Sequence, residues 1–290
     1  MATEIIPLSS KPRFEILDGL RGVAAMIVVA FHLFETYSKG PSDQILNHGY
    51  LAVDFFFVLS GFVIGYAYDD RWSKMNVWGF FKRRLIRLQP MVILGTLIGA
   101  FWFYFGGAPG FELVMQTPWW KLLLIVILGC LMFPTPPSMD IRGWQECRIK
   151  LNRGGMTWCS VAVAATLGVP HLGGEDHEWI NGLYCAVVIL LIYPAVVAAG
   201  AGSPLRGRRT TAICKFLGMI SYPLYITHYP MIYVQMNWAA RHADAPVSTH
   251  IWVAVSIFIA SIAVAYASVK VYDIPVRAWL SERFLYKSRK

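Results

Sequence analysis

An arginine and a histidine stand eleven residues apart in the first long apolar stretch of the chain. Arg21 lies near the start of this stretch and His32 lies towards its end. In an α-helix, eleven residues return to within about 20° of the same face and rise about 16 Å. Ionisable side chains inside a membrane span are costly and commonly mark function. The spacing therefore predicts one helix face with a guanidinium at a membrane surface and an imidazole deep inside, with Asp18 on nearly the same face.

Each of these two residues also has a structural interpretation. His32 could be a core histidine bonded to a neighbouring carbonyl, and Arg21 could be an interfacial anchor whose side chain extends to the membrane surface. For each residue taken alone, both the structural and the functional interpretation stay open. The presence of both side chains on one face favours a functional role.

A carboxylate beside three phenylalanines marks the start of the next apolar stretch. If the two stretches form a tight antiparallel hairpin, Asp54 and His32 lie at similar depth. A carboxylate that binds one ring nitrogen fixes the tautomer and raises the basicity of the other nitrogen. Asp54 and His32 are therefore predicted as a general-base pair, and the alternative is that Asp54 caps the N-terminus of its own helix.

Two arginines three residues apart follow the second apolar stretch. A helix places Arg84 and Arg87 side by side. Guanidinium forks suit phosphate oxygens, so a donor that carries phosphate groups could bind here with its reactive arm directed towards His32. The alternative is a basic cluster that only sets the membrane topology.

Several polar side chains lie around the two prolines of a later apolar stretch. Proline frees backbone carbonyls and bends a helix. The neighbouring side chains could line a polar cavity, or they could belong to a kinked packing helix. The candidate cavity-lining residues are Ser60, Ser221, Tyr222, Tyr225 and His228.

The composition requires elements that lie in a membrane. Of the 290 residues, 56% are apolar or aromatic and 15% are charged, and the mean hydropathy is +0.49. A soluble domain carries about 25% charged residues. We therefore predict an all-α transmembrane bundle in a single domain, with a short N-terminal segment at 1–16 and a basic tail at 272–290. The predicted spans are 17–37, 50–68, 90–106, 120–136, 156–170, 179–200, 215–238 and 250–271.

The distribution of charge supports eight spans. Every second loop is rich in Lys and Arg, and the loop after the fifth span is acidic. The positive-inside rule then places both termini in the cytoplasm. The same rule explains the net charge of +9 without nucleic acid as a partner. The five cysteines include no close pair, so no disulfide framework or metal site is expected.

Four stretches together resemble the acyltransferase 3 family of membrane O-acyltransferases. They are Leu17–Gly22 through His32, with Arg-x10-His spacing; Gly49–Phe62, with Val-Asp-x-Phe-Phe and Ser-Gly-Phe; Arg84-x-x-Arg87; and Ile220–Tyr225 with His228, closed by Asp273-x-Pro275-x-Arg277. The resemblance covers roughly residues 13–110 and 210–285. Together the motifs are specific, whereas each alone is weak.

The resemblance implies an enzyme of a bacterial cytoplasmic membrane. The expected reaction transfers an acyl group, acetyl in the first place, from cytoplasmic acyl-CoA to a hydroxyl of a polysaccharide or lipid-linked sugar. Arg84 and Arg87 would bind the donor, and Arg21 would orient the donor or the base. His32 would deprotonate the hydroxyl or carry the acyl group, and Asp54 would polarise His32. Acyl-CoA is then a co-substrate, and no metal or bound cofactor is expected.

The middle of the chain departs from the family pattern. Members of the family have about ten spans and a Trp-Ser-Leu…Glu helix, whereas here Trp144 is followed by Gln145, Glu146 and Cys147. About two spans and the glutamate have no counterpart. The alternatives are therefore an inactive, shortened member of the family and a membrane transporter. A transporter is expected to show two related halves, and no such repeat is found.

Overall fold

The described part of the chain is helical. A computed structural model describes residues 13–38, 43–68, 77–105, 119–120, 123, 154–174 and 177–285. Seven helices account for most of these residues. They are α1 (Glu15–Glu35), α2 (Leu51–Tyr68), α3 (Val77–Phe105), α4 (Gly155–Leu167), α5 (Glu178–Gly202), α6 (Arg208–Arg241) and α7 (Val247–Phe284).

Seven of the eight predicted spans fall on these helices. The fourth, 120–136, lies almost wholly outside the described residues. Five helices, α1, α2, α3, α5 and α7, are long and apolar enough to cross a membrane. Helix α4 has only 13 residues, and the apolar sequence of α6 is interrupted by polar side chains. The structure confirms a polytopic helical membrane protein, and the count of eight spans stays a prediction.

Two predicted boundaries differ from the structure. Helix α3 begins at Val77 and continues through Pro90, so Arg84 and Arg87, predicted to precede the third span, lie in the same helix as that span. Residues 272–284 of the predicted basic tail continue α7 as helix. In both places charged side chains were taken to limit a membrane span. Charge alone does not interrupt the backbone hydrogen bonds of a helix, so the helix extends beyond the predicted span.

Two helices contain a short segment in which the turn widens. Val188–Ile192 in α5 and Ser268–Asp273 in α7 are π-helical. Such segments add a residue to a helix without ending it, and they are frequent at functional sites. In α7 the segment directly precedes the helical turns that carry Arg277.

Helices α1 and α6 run side by side in the same direction. Arg21 contacts Ser221, and farther along both helices Gln235 donates to the carbonyl of Leu33 at 3.3 Å. That carbonyl belongs to the last turn of α1, where no residue of the same helix can satisfy it. Parallel α1 and α6 agree with their predicted places as the first and seventh spans.

Helices α2 and α7 run in the opposite direction to α1. Phe14, just before α1, packs against Tyr66 near the end of α2 with ring centroids 4.7 Å apart. His250, near the start of α7, packs against Tyr37, just after the end of α1. These directions agree with the even-numbered places of both helices among the predicted spans.

Glycine lets α1 and α6 approach to backbone contact. A Cβ atom added to Gly22 would lie 2.5 Å from the carbonyl oxygen of Leu217. A Cβ atom added to Gly218 would lie 2.7 Å from Cβ of Asp18. Small residues allow this approach in membrane helices, where packing rather than the hydrophobic effect drives association. The contact fixes the position of every α1 side chain that faces α6.

The segment before α2 covers the last turns of α1. Gln44 donates to the carbonyl of Phe31 at 3.0 Å, and a Cβ atom on Gly49 would overlap the Phe31 ring. His48 is fully buried and holds this segment to two others. Its Nδ1 lies 2.8 Å from the carbonyl of Val169 and its Nε2 lies 2.7 Å from Oδ1 of Asn181.

We expect Gly22→Ala to destabilise the protein. The added methyl group would overlap the Leu217 backbone, which cannot move without shifting α6, and overpacking of this kind costs about 1–3 kcal/mol. The matched control is Gly61→Ala on α2, because a Cβ atom at Gly61 meets nothing within 4 Å.

The measurement is the thermal stability and monodispersity of both variants after detergent extraction. Gly61→Ala is expected to match the wild type, and Gly22→Ala to unfold at lower temperature. Equal stability of the two variants would contradict the close contact between α1 and α6.

Candidate active site

Arg21 is held in place by α1 and α6 together. Its Nε donates to Oγ of Ser221 at 2.8 Å, and its Nη2 donates to the carbonyl of Gly218 at 3.0 Å. The same Nη2 lies 3.1 Å from Oδ1 of Asp18. The Ser221 hydroxyl donates to the Gly218 carbonyl at 2.9 Å, so its oxygen is free to accept from Arg21. Arg21 is thus rigidly oriented, and its charge is partly neutralised by Asp18.

The two predicted arginines of α3 lie at the same end of the bundle as Arg21 but face different surroundings. Arg84 is half-buried and interacts electrostatically with Tyr222 of α6, whose hydroxyl donates to the carbonyl of Leu88 at 3.0 Å. Arg87 is exposed and acts electrostatically on Arg21. Arg21, Arg84 and Arg87 therefore form one positive region, which we call the arginine cluster.

His32 lies in the last turn of α1, nearer the helix end than the predicted position deep in the membrane. Its Nδ1 is 2.7 Å from Oε2 of Glu35, and its side chain is 17% exposed. Two rings of α6 pack against the imidazole. The ring of His228 is stacked at 5.4 Å and that of Tyr229 is tilted at 4.8 Å. We call these four residues the histidine cluster.

Only one nitrogen of the His228 ring is hydrogen-bonded to described residues. Its Nδ1 lies 2.8 Å from the carbonyl of Tyr225 and 3.2 Å from that of Leu224. Carbonyl oxygens only accept hydrogen bonds, so Nδ1 carries the proton. In the neutral ring, Nε2 is then an acceptor. This atom is buried and has no hydrogen-bond partner among the described residues. A buried unpaired acceptor beside His32 suits a ligand that brings a hydroxyl group.

The predicted pairing of Asp54 with His32 is wrong. The carboxylate that contacts the His32 ring belongs to Glu35, one turn further along the same helix. Asp54 lies in the first turn of α2, and its electrostatic partners are Tyr50 and Tyr193. This position agrees with the alternative interpretation, in which Asp54 acts on the N-terminus of its own helix.

The predicted cavity residues are dispersed. Ser221 belongs to the arginine cluster and His228 to the histidine cluster, while the ring of Tyr225 packs edge-on against Phe56 at 5.6 Å. The side chain of Ser60 is half-buried, and its hydroxyl forms no hydrogen bond with a described residue. A cavity lined by all of these residues stays a prediction. Within the described ranges, no three His, Cys, Asp or Glu side chains come together as a metal site.

The two clusters lie at different heights along the α1–α6 contact. Arg21 and His32 both face α6, as their spacing predicts, and about 16 Å of helix separates them. Arg21 therefore does not orient the His32 ring directly. The arrangement offers a positive region at one end for an anionic group and a carboxylate–imidazole pair at the other end for proton transfer.

Sequence analysis missed Glu35 and Tyr229. Glu35 stands three residues after His32, a spacing that brings side chains together on any helix and could have been recognised. Tyr229 could not have been recognised in this way, because its contact with His32 depends on the packing of α1 against α6.

Comparisons with known proteins agree with this architecture. A model of the acyltransferase 3 family, described as an acyltransferase domain, matches residues 14–141 and 142–270. The two matched segments meet within a few residues of Trp144, where the sequence departs from the expected pattern, although this part lies outside the described residues.

Individual relatives cover parts of the chain. "Protein 2 in picA locus" of Rhizobium radiobacter is 34% identical over 142 residues, which are 47% of this chain and 72% of that protein. The peptidoglycan O-acetyltransferase OatA of Listeria monocytogenes is 35% identical over 85 residues, which are 28% of this chain but only 12% of that longer protein. No solved structure matches the chain. Because the family model matches most of the chain, the chain belongs to the acyltransferase 3 family.

Proposed function

We propose that the protein transfers an acetyl group from cytoplasmic acyl-CoA to a hydroxyl group of a surface polysaccharide or lipid-linked sugar. The observation that carries this proposal is the 2.7 Å contact between Nδ1 of His32 and the Glu35 carboxylate. Membership of an acyltransferase family and the similarity to a peptidoglycan O-acetyltransferase support the type of reaction and the type of acceptor.

The contact with Glu35 determines which nitrogen of His32 is reactive. A carboxylate oxygen only accepts, so the proton of the neutral ring lies on Nδ1 and the lone pair lies on Nε2. Nε2 forms no hydrogen bond with any residue in the described ranges. Glu35 also stabilises the positive charge that forms when Nε2 takes a proton. Glu35 thus has the role that sequence analysis assigned to Asp54.

In the proposed reaction, Nε2 of His32 takes the proton of the acceptor hydroxyl. The oxygen attacks the thioester carbonyl, the carbon–sulfur bond breaks, and the departing thiolate receives the proton from the His32 ring. In the same proposal, the unpaired Nε2 of His228 would hold a second hydroxyl of the sugar. The alternative is that Nε2 of His32 carries the acetyl group as a short-lived covalent intermediate.

The donor would approach from the arginine cluster. Arg84 and Arg87 are suited to its phosphate groups, since guanidinium forks match phosphate oxygens. The thioester arm would then follow the α1–α6 contact past Arg21 towards His32. Arg21 lies on this route and would orient the donor rather than the base.

We expect His32→Ala to lower acetyl transfer by about 10²–10⁴-fold, because general-base catalysis contributes about that much. The measurement is incorporation of labelled acetyl groups from acetyl-CoA into glycan by membranes that contain the protein. The matched control is His177→Ala, since His177 is exposed and its side chain makes no capping hydrogen bond. Unchanged incorporation in His32→Ala would refute the assigned role. Absence of transfer by the wild-type protein would favour an inactive, shortened member of the family.

Glu35→Gln tests the positioning of His32 separately. The amide oxygen can still accept from Nδ1, but the charge is lost, and a charged hydrogen bond exceeds a neutral one by about 1 kcal/mol. We therefore expect kcat to fall by about fivefold, with KM for acetyl-CoA unchanged. Glu178→Gln, an exposed carboxylate at the start of α5, is the control. A rise in KM without a change in kcat would indicate that Glu35 binds the donor instead.

A further inference from the structure

A cleft of about 280 Å³ opens at the end of the bundle that carries the arginine cluster. One wall is the first half of α3, which contributes Arg83 and Arg87. The other wall is the last part of α7, which contributes Arg277 and Ser281. Ile86, Ile274, Ala278 and Leu285 complete the lining with apolar surface. The two walls come from parts of the chain about 190 residues apart.

The cleft carries a strong excess of positive charge. Three guanidinium groups line it, and Arg87 is exposed. Arg83 and Arg87 form no ion pair with any residue that the structure describes. The acidic partner at this cleft is Asp273, which is 4% exposed and pairs with Arg277. One buried carboxylate therefore offsets the charge of three arginines that line the cleft, which leaves the cleft suited to an anion.

Asp273 orients Arg277 without using all of its donors. The ion pair joins Oδ2 of Asp273 to Nη2 of Arg277, one helical turn apart on α7. The Nε–H of Arg277 is buried and has no hydrogen-bond partner among the described residues. A guanidinium has five N–H donors in a rigid fork. Arg277 is thus fixed in position and still able to donate to a ligand.

We propose that this cleft binds a phosphate group of the nucleotide portion of the acyl donor. Arg277 and the hydroxyl of Ser281 would bind it from α7, opposite Arg83 and Arg87 of α3. Asp273 is a positioning residue for Arg277. The inference rests on the proposed function in so far as acyl-CoA is the donor.

Continuity with the arginine cluster favours a donor phosphate over the phosphate of a lipid headgroup. Arg87 belongs to both sites and acts electrostatically on Arg21, which lies on the route towards His32. A phosphate held in the cleft would therefore leave the rest of the donor beside the α1–α6 contact. A lipid headgroup offers the same phosphate chemistry, and the experiment below distinguishes the two.

The test measures the affinity of the full-length protein, in nanodiscs of phosphatidylcholine, for CoA and for pantetheine, which lacks phosphate. Arg277→Gln is expected to raise the Kd for CoA by about tenfold or more, since it removes charged hydrogen bonds. The Kd for pantetheine should not change. The matched control is Arg283→Gln, which removes the same charge from α7, where the guanidinium lies over the Trp279 ring outside the cleft.

Arg83→Gln provides a second variant. Loss of Arg277 leaves Asp273 buried without its partner, which can destabilise the protein, whereas Arg83→Gln breaks no ion pair within the described residues. It should also weaken CoA binding selectively. Where Arg277→Gln fails to fold, Arg83→Gln decides the outcome.

Three results would overturn the inference. The first is an unchanged Kd for CoA in folded Arg277→Gln and Arg83→Gln protein. The second is the same unchanged Kd together with reduced retention of phosphatidylglycerol by protein in nanodiscs that also contain this lipid, which would assign the cleft to a lipid headgroup. The third is a wild-type protein that does not bind CoA. Binding of CoA that depends on Arg277, in a protein that does not transfer acetyl groups, would leave this inference standing and refute the proposed function.

Discussion

The backbone contact between α1 and α6 is the constraint on which the rest of the structure depends. Gly22 and Gly218 remove the side chains that would otherwise separate the two helices. Only at this distance can Arg21 reach both Ser221 and the Gly218 carbonyl. Interhelical hydrogen bonds in membranes contribute only about 0.6–2 kcal/mol each. Close packing must therefore hold the helices together, and the polar contacts determine their register.

The parallel course of the same two helices separates two kinds of chemistry. Guanidinium groups gather at one end of the contact and imidazole rings at the other. The polar groups at the histidine end are supported by Gln44 and Gln235, which satisfy carbonyls in the last turns of α1. Because rigid helices carry both clusters, their separation does not depend on the loops. In the proposed reaction, the acyl group would reach the histidine cluster while the bulk of its carrier stays at the arginine cluster.

Features that depend on one helix were predictable from the sequence. The spacing of Arg21 and His32 placed both side chains towards α6, and the order of the apolar stretches predicted the helix directions. The pairing of Asp54 with His32 failed because it required two helices to meet as a simple hairpin. In the structure the segment at 43–50 packs over the end of α1, and the neighbouring Glu35 reaches the ring first.

Features that depend on distant parts of the chain were not predictable. Arg277 was recognised only as part of a closing motif, because nothing in its local sequence indicates that α3 lies opposite. The stacking of His228 on His32 likewise arises from the parallel packing of α1 and α6. In both cases the pattern identified the relevant residues, and tertiary structure determined which residues they contact.

The widened turn at Ser268–Asp273 determines the direction in which the side chains of the last turns of α7 point. Each residue rotates a helix by about 100°. Because the widened turn holds one residue more than a regular turn, a regular helix over the same residues would rotate Arg277 and Ser281 by about 100° relative to α3, although every side chain of the cleft would still be encoded. The orientation of these two side chains therefore depends on the backbone of Ser268–Asp273 as well as on the amino acids that line the cleft.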